Sequence, residues 1–249
     1  MYPDLQKANM WKRFAAWILD ALLFCIVVTM CGFLVSFITG YDAKNEKLEQ
    51  VYTSYEEKYN IDFDKYDHLS EEEQKRYEEA INALNSDQEA MHAYSVVVSL
   101  TLLITSLGIF FACLILEFFV PLVLKNGQTL GKKVFGIGVM MVNGVRMRPV
   151  VLFVRALIGK YTIEIMIPVL IAIMIFFGNI GIIGVVVLIL LLLLQLGLII
   201  FTHTNSAIHD ALASTVTVDL SSQRIFESED EMIEYKKKIA AEIAERQEY

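Results

Sequence analysis

"KRFAAWILDALLFCIVVTMCGFLVSFIT", residues 12–39, decides what kind of chain this is. The stretch is long and apolar enough to cross a bilayer, which takes about 20 such residues. Asp20 nevertheless stands inside it, two turns after Arg13. A charge at that depth costs at least about 2.5–3.5 kcal/mol on insertion scales, so this carboxylate must face a partner or a watery cavity.

Working outward, the same texture returns. The 249-residue chain is 55% hydrophobic, with a mean hydropathy of +0.50, which is too apolar for an ordinary soluble domain. Besides a first span at 14–39, the composition predicts spans at 93–124, 163–177 and 180–201. The last two are joined by a tight turn at "FFGNIGIIG". The first span follows a short polar start with no small-residue cleavage site, so it reads as a retained anchor. Cys25, Cys31 and Cys113 all fall in these spans, where they serve as small apolar residues.

Charge sets the expected orientation. Between Glu117 and Glu164 lie Lys125, Lys132, Lys133, Arg146, Arg148, Arg155 and Lys160, with no acidic residue. Such a segment belongs on the cytoplasmic side, where Lys125, Lys132, Lys133, Arg146 and Arg148 are positioned to meet anionic lipid. Residues 41–92 carry 15 acidic against six basic residues, a net −9 that accounts for the overall −8. This acidic insertion should lie outside and both termini inside, in a multi-pass protein of the cell (plasma) membrane.

Within the insertion, Leu48, Tyr52, Tyr55 and Tyr59 form one helical stripe. Ser70 with Glu73, and Ser86 with Glu89, have the spacing of capping boxes. The spacing predicts a helical hairpin. Asp62, Asp64 and Glu73 match positions one, three and twelve of a calcium loop. Tyr66 and Asp67, however, occupy positions where a ligand and a glycine belong, and Glu73 is better explained by its cap. In the basic segment, Phe135, Ile137, Val139 and Met141 alternate, and Asn143-Gly144 favours a two-residue hairpin turn. The β-branched run from Ser214 is available to add a strand.

The expected architecture is an all-α membrane protein of about four transmembrane helices, with a small cytoplasmic β-hairpin and an extracytoplasmic helical insertion. It divides into an N-terminal segment and first span (1–40), the acidic helical insertion (41–92) and the second span (93–124). A basic cytoplasmic hairpin with an interfacial helix (125–162), the third and fourth spans (163–201) and a cytoplasmic His-Asp motif, strand and helical tail (202–249) complete it. No zinc spacing, nucleophile triad or phosphate loop is present, and "GQTLGKK" lacks the Walker spacing. The reading is not an enzyme, with no cofactor and no metal. The tail opens on acidic residues, which disfavours nucleic acid.

"GQTLGKKVFGIGVMMVNG" from Gly127, "VRALIGK" from Val154 and "IHDALASTVTV" from Ile208 resemble the recurring blocks of the RDD family of bacterial membrane proteins. Arg13 and Asp20 match its first two letters, and Asp210, beside His209, matches the third. Two departures stand out: no basic residue shortly precedes the His-Asp pair, and Ser214 replaces a usual glycine. For some members the resemblance implies exchange of sodium or another cation against protons.

The candidate transport residues are Arg13, Asp20, Glu117, Arg155, Lys160, His209 and Asp210. Arg13 and Asp20 lie about 10 Å apart along one helix, too far for contact, so Asp20 is expected to reach Arg155 or Lys160, leaving Arg13 for Asp210. His209-Asp210 reads either as a proton relay or as a helix-end cap. Two functions remain open. One is a cation-proton exchanger, for which four spans are few and a homodimer is expected. The other is a non-transporting adaptor that holds a membrane enzyme or secretion partner through its acidic insertion or its tail.

Overall fold

The computed structural model describes residues 5–65 and 70–247. Among these residues, four helices are long and apolar enough to cross a membrane: Met10–Thr39, Gln88–Leu124, Pro149–Phe176 and Gly181–Phe201. Their outward faces carry exposed Leu, Ile and Phe, among them Phe33, Ile182, Leu190 and Leu193. That is the surface a lipid environment accepts. The chain divides into two units, residues 29–109 and residues 1–28 with 110–249.

The first unit holds the acidic insertion. The first span, α1 (Met10–Thr39), ends at Gly40. Gly40 takes a φ of +65°, a left-handed turn that glycine makes without steric cost. Helices α2 (Tyr41–Tyr59) and α3 (Glu71–Ser86) then form the expected hairpin. Leu48 of the predicted stripe is buried with Ala93 and Val97, against which Tyr41 and Tyr52 pack. Phe63 meets Tyr52 and Tyr77 edge-on at 5.8 and 5.6 Å.

Ser70 and Glu73 make the reciprocal capping box. The second expected box does not form: Ser86 closes α3, and Asp87 caps α4 (Gln88–Cys113), its Oδ1 accepting from the Glu89 and Ala90 amides. Aspartate is the better cap here because its short carboxylate reaches two orphan amides of the first turn. Of the calcium-loop residues, Asp62 accepts from the Asp64 amide and pairs with Lys65, while Glu73 serves its cap. Tyr66 and Asp67 lie outside the described residues.

In the second unit, the second span runs on from α4 through a π-helical turn at Leu114–Phe119 into α5 (Val120–Leu124). A short helix α6 (Leu130–Val134) leads into strand β1 (Ile137–Met141). The third span begins at Pro149, not near residue 163. It comprises α7 (Pro149–Phe153), a π-helical stretch Val154–Met166 and α8 (Ile167–Phe176). Residues expected in an interfacial helix are therefore part of a span. Pro149 fits a helix start, where its missing N–H is not needed. Pro168 is accommodated within the continuous span, and Gly178 lies in the turn before α9 (Gly181–Phe201).

The chain continues through α10 (Ile208–Leu212) to β2 (Thr215–Asp219) and the tail helix α11 (Glu229–Gln247). Strand β1 pairs antiparallel with β2, Ile137 opposite Asp219 and Met141 opposite Thr215. The predicted strand after Ser214 is thus present and supplies β1 with its ladder partner. The residues after Asn143-Gly144 contribute less than a full arm: Met141 donates its amide to Val145, and Val145 bridges to Phe226.

Both strands are buried along most of their length. One face packs Met140, Val216 and Val218 against Leu5 and Ile225, whereas Ile137 on the other packs with Ala8, Ala16 and Phe135. The tail is fastened beside the sheet by Arg146 to Glu227 at 2.9 Å and Asn143 to Glu229 at 2.8 Å.

Candidate functional site

The two π-helical stretches carry Glu117, Arg155, Lys160 and Glu164. A π turn bonds residue i to i+5 and is wider than an α turn. Residues four and five apart therefore share a face, which aligns Arg155, Gly159, Lys160 and Glu164. Glu117 sits in the other π turn and accepts from Lys160. Arg155, only 1% exposed, donates from Nε to Asp210 Oδ1 at 2.8 Å. Asp210 also accepts from Thr215 Oγ1 at 2.9 Å and from Thr217 Oγ1 at 3.5 Å. One carboxylate thereby ties the third span to β2. Burial pushes its pKa up, but Arg155, His209 and Lys132 together outweigh burial and hold it below the ordinary carboxylate range.

His209-Asp210 lies in the first turn of α10, a helix of five residues whose first amides have no partner of their own. The Ile208 amide donates to Gln195 Oε1 of α9 at 3.0 Å, and the His209 amide donates to Glu164 Oε1 at 3.0 Å. The His209 ring lies 2.8 Å from the same carboxylate. Gly159 permits this approach, since a Cβ there would lie 2.7 Å from the His209 Cα. The histidine thus closes a helix end against the third span.

Asp20 does not reach Arg155 or Lys160. Its carboxylate accepts from the Thr129 hydroxyl and, at 2.8 Å, from the Gly131 amide. Thr129 is the N-cap of α6, so Asp20 fastens the start of α6 to the first span. An aspartate is favoured there because it faces unpaired amides. Arg13 does not pair with Asp210 either: its Nη2 donates to the Asn205 carbonyl at 2.8 Å. Both expectations failed for one reason. Neutral groups at helix and loop ends, the Thr129 hydroxyl, the Gly131 amide and the Asn205 carbonyl, are the partners, and opposite charge does not reveal them.

A Cβ at residue 131 would lie 2.4 Å from the Ala16 carbonyl oxygen and 2.8 Å from Asp20 Cγ. Gly131→Ala is accordingly expected to cost about 1–3 kcal/mol, the range for overpacking. The loss should appear as a lower thermal midpoint of the purified protein, and an unchanged midpoint would refute the close approach.

The structure brings Glu117, Arg155, Lys160, His209 and Asp210 into one buried network and leaves Arg13 and Asp20 as separate fastenings. Of the residues assigned to lipid, Lys125, Lys133 and Arg148 are exposed, Arg146 engages Glu227, and Lys132 is half-buried beside the network. Sequence reading missed Thr129, Glu164, Gln195, Asn205, Thr215 and Thr217. Glu164 carried a signal: with Arg155 and Lys160 it interrupts an otherwise apolar stretch at π spacing.

The profile of the RDD family matches residues 7–214, which takes in Arg13, Asp20, Glu117, Arg155, Lys160, Glu164, His209 and Asp210 but stops short of Thr215 and Thr217. The chain belongs to the RDD family. No curated protein and no solved structure matches it. Ser214, which stands at a position the family usually fills with glycine, has a φ of +51°, in the left-handed region where a Cβ is strained.

Proposed function

We propose that this RDD protein is a membrane adaptor, a braced four-span platform that presents its acidic hairpin and its tail helix to a membrane-protein partner. What carries the reading is the commitment of Asp20. A carboxylate that exchanges ions must be released and refilled, whereas this one is engaged by the Thr129 hydroxyl and the Gly131 amide. Glu117 is a poor cation site as well, because Lys160, Lys132 and Arg155 act on it together, and their positive charges repel an incoming sodium ion. The platform sits in the cell membrane with both termini cytoplasmic and the hairpin outside. The basic residues between Glu117 and Glu164 and the −9 of residues 41–92 support this orientation.

One observation favours proton-coupled exchange instead: Glu117 Oε2 is buried and accepts no hydrogen bond. The test is therefore paired. Purified protein in proteoliposomes should be silent for sodium, potassium and proton flux, and a photo-crosslinker at Ser54 should give a discrete adduct with one membrane protein in cells. Sodium-dependent proton flux that disappears in Glu117→Gln would overturn the adaptor reading.

A further inference from the structure

The network contains more buried donors than it uses. Arg155 commits Nε to Asp210, while its Nη1 and Nη2 are buried and have no acceptor. These two nitrogens carry four N–H groups. Lys132, half-buried and within electrostatic range of Arg155, adds an ammonium that joins neither adjacent ion pair, Arg155 with Asp210 or Lys160 with Glu117, among the described residues. Against these donors stands, among the described residues, one free buried side-chain acceptor, Glu117 Oε2. The other carboxylates in electrostatic range are occupied, Asp20 by Thr129 and Gly131 and Glu164 by His209. Buried charged donors in native proteins find partners, because an unmade bond there costs the full desolvation of the group.

Two features indicate the kind of partner. The first is repulsion: after burial, the guanidinium of Arg155 is the largest influence lowering the Lys132 pKa, which stands at about 8, with Glu117 and Asp210 opposing and Lys160 reinforcing it. A neutral water satisfies donors but does not offset two cations in electrostatic range of one another; an anion does both. The second is access. At 1% exposure Arg155 is enclosed by protein, which excludes a phospholipid headgroup with its glycerol and chains and limits any ion on it to a small one.

We propose that Lys132 and Arg155 together bind a small inorganic anion of the size of chloride. The ion accepts from the Arg155 Nη groups and the Lys132 ammonium, which neutralises their mutual repulsion and locks α6 to the third span. Binding requires Lys132 in its charged form, so affinity falls as pH rises through the region of 8, where that ammonium loses its proton.

The test uses the full chain in a neutral detergent, with sodium chloride exchanged for sodium gluconate at constant ionic strength. Chloride is expected to raise the thermal midpoint in a saturable manner at neutral pH, and to do so less at about pH 9.5. Lys132 is half-buried and makes no side-chain ion pair among the described residues, so Lys132→Gln should fold. It should bind chloride on the order of tenfold more weakly, the loss of one charge-assisted hydrogen bond. Bromide should substitute for chloride and appear as an ordered ion between the two residues in crystals. A midpoint indifferent to chloride would overturn the proposal. So would one that responds only to added phosphatidylglycerol or inorganic phosphate, or a chloride response retained in full by Lys132→Gln.

Discussion

Asp210→Asn is expected to lower stability by about 3–5 kcal/mol, the cost of stranding one partner of a buried ion pair. The amide keeps the shape and can still accept from Thr215, so the loss isolates the charge that faces Arg155. Arg155→Met in the same chain removes the stranded cation and should recover most of the deficit. Thermal unfolding of the purified protein measures both changes. An Asp210→Asn midpoint within a degree or two of the wild type would refute the clamp.

The direction of the pH dependence follows from the same contact. Asp210 titrates below its ordinary range in the folded chain, so the unfolded chain takes up its proton first as pH falls. The stabilisation is complete above the ordinary aspartate pKa of about 3.9 and is lost progressively below it. Asp210→Asn should lack that part of the acid sensitivity.

How far the sequence could be read depended on the kind of signal each element carries. Spans and the acidic hairpin were legible because both rest on long runs: apolar length for the four helices, and the Leu48 stripe with the Ser70 cap for the hairpin. The strand after Ser214 was legible from β-branched residues alone. The start of the third span was not. Arg155 and Lys160 look interfacial when counted as charges, and only their partners, Asp210 and Glu117, allow a helix to carry them inward.

The partners of Asp20 and Arg13 were hidden for a further reason. A pattern of side chains shows which charges need compensation, but the Gly131 amide and the Asn205 carbonyl become available only once α6 begins and the chain turns after α9. Sequence therefore located most members of the network but not the contacts that decide what they do. The π spacing of Arg155, Lys160 and Glu164 is the exception, readable once a wider turn is considered.

Lys160→Met is the second large effect, and it tests what Glu117 is for. Removing the ammonium leaves a carboxylate that is 3% exposed with neither oxygen paired, so a loss of about 3–5 kcal/mol is expected. If the pair braces the second span against the third, Glu117→Gln alone should also destabilise the protein, because it strands Lys160. The double variant should then return close to the wild type, with a coupling energy of 0.5–3 kcal/mol or more in the cycle. An exchanging carboxylate behaves otherwise: Glu117→Gln would leave the thermal midpoint intact and abolish flux, since the amide fills the same space but cannot cycle a proton. Stability of the single glutamine variant thus separates a brace from an ion path before any transported species is named, and a midpoint equal to that of the wild type would remove the brace.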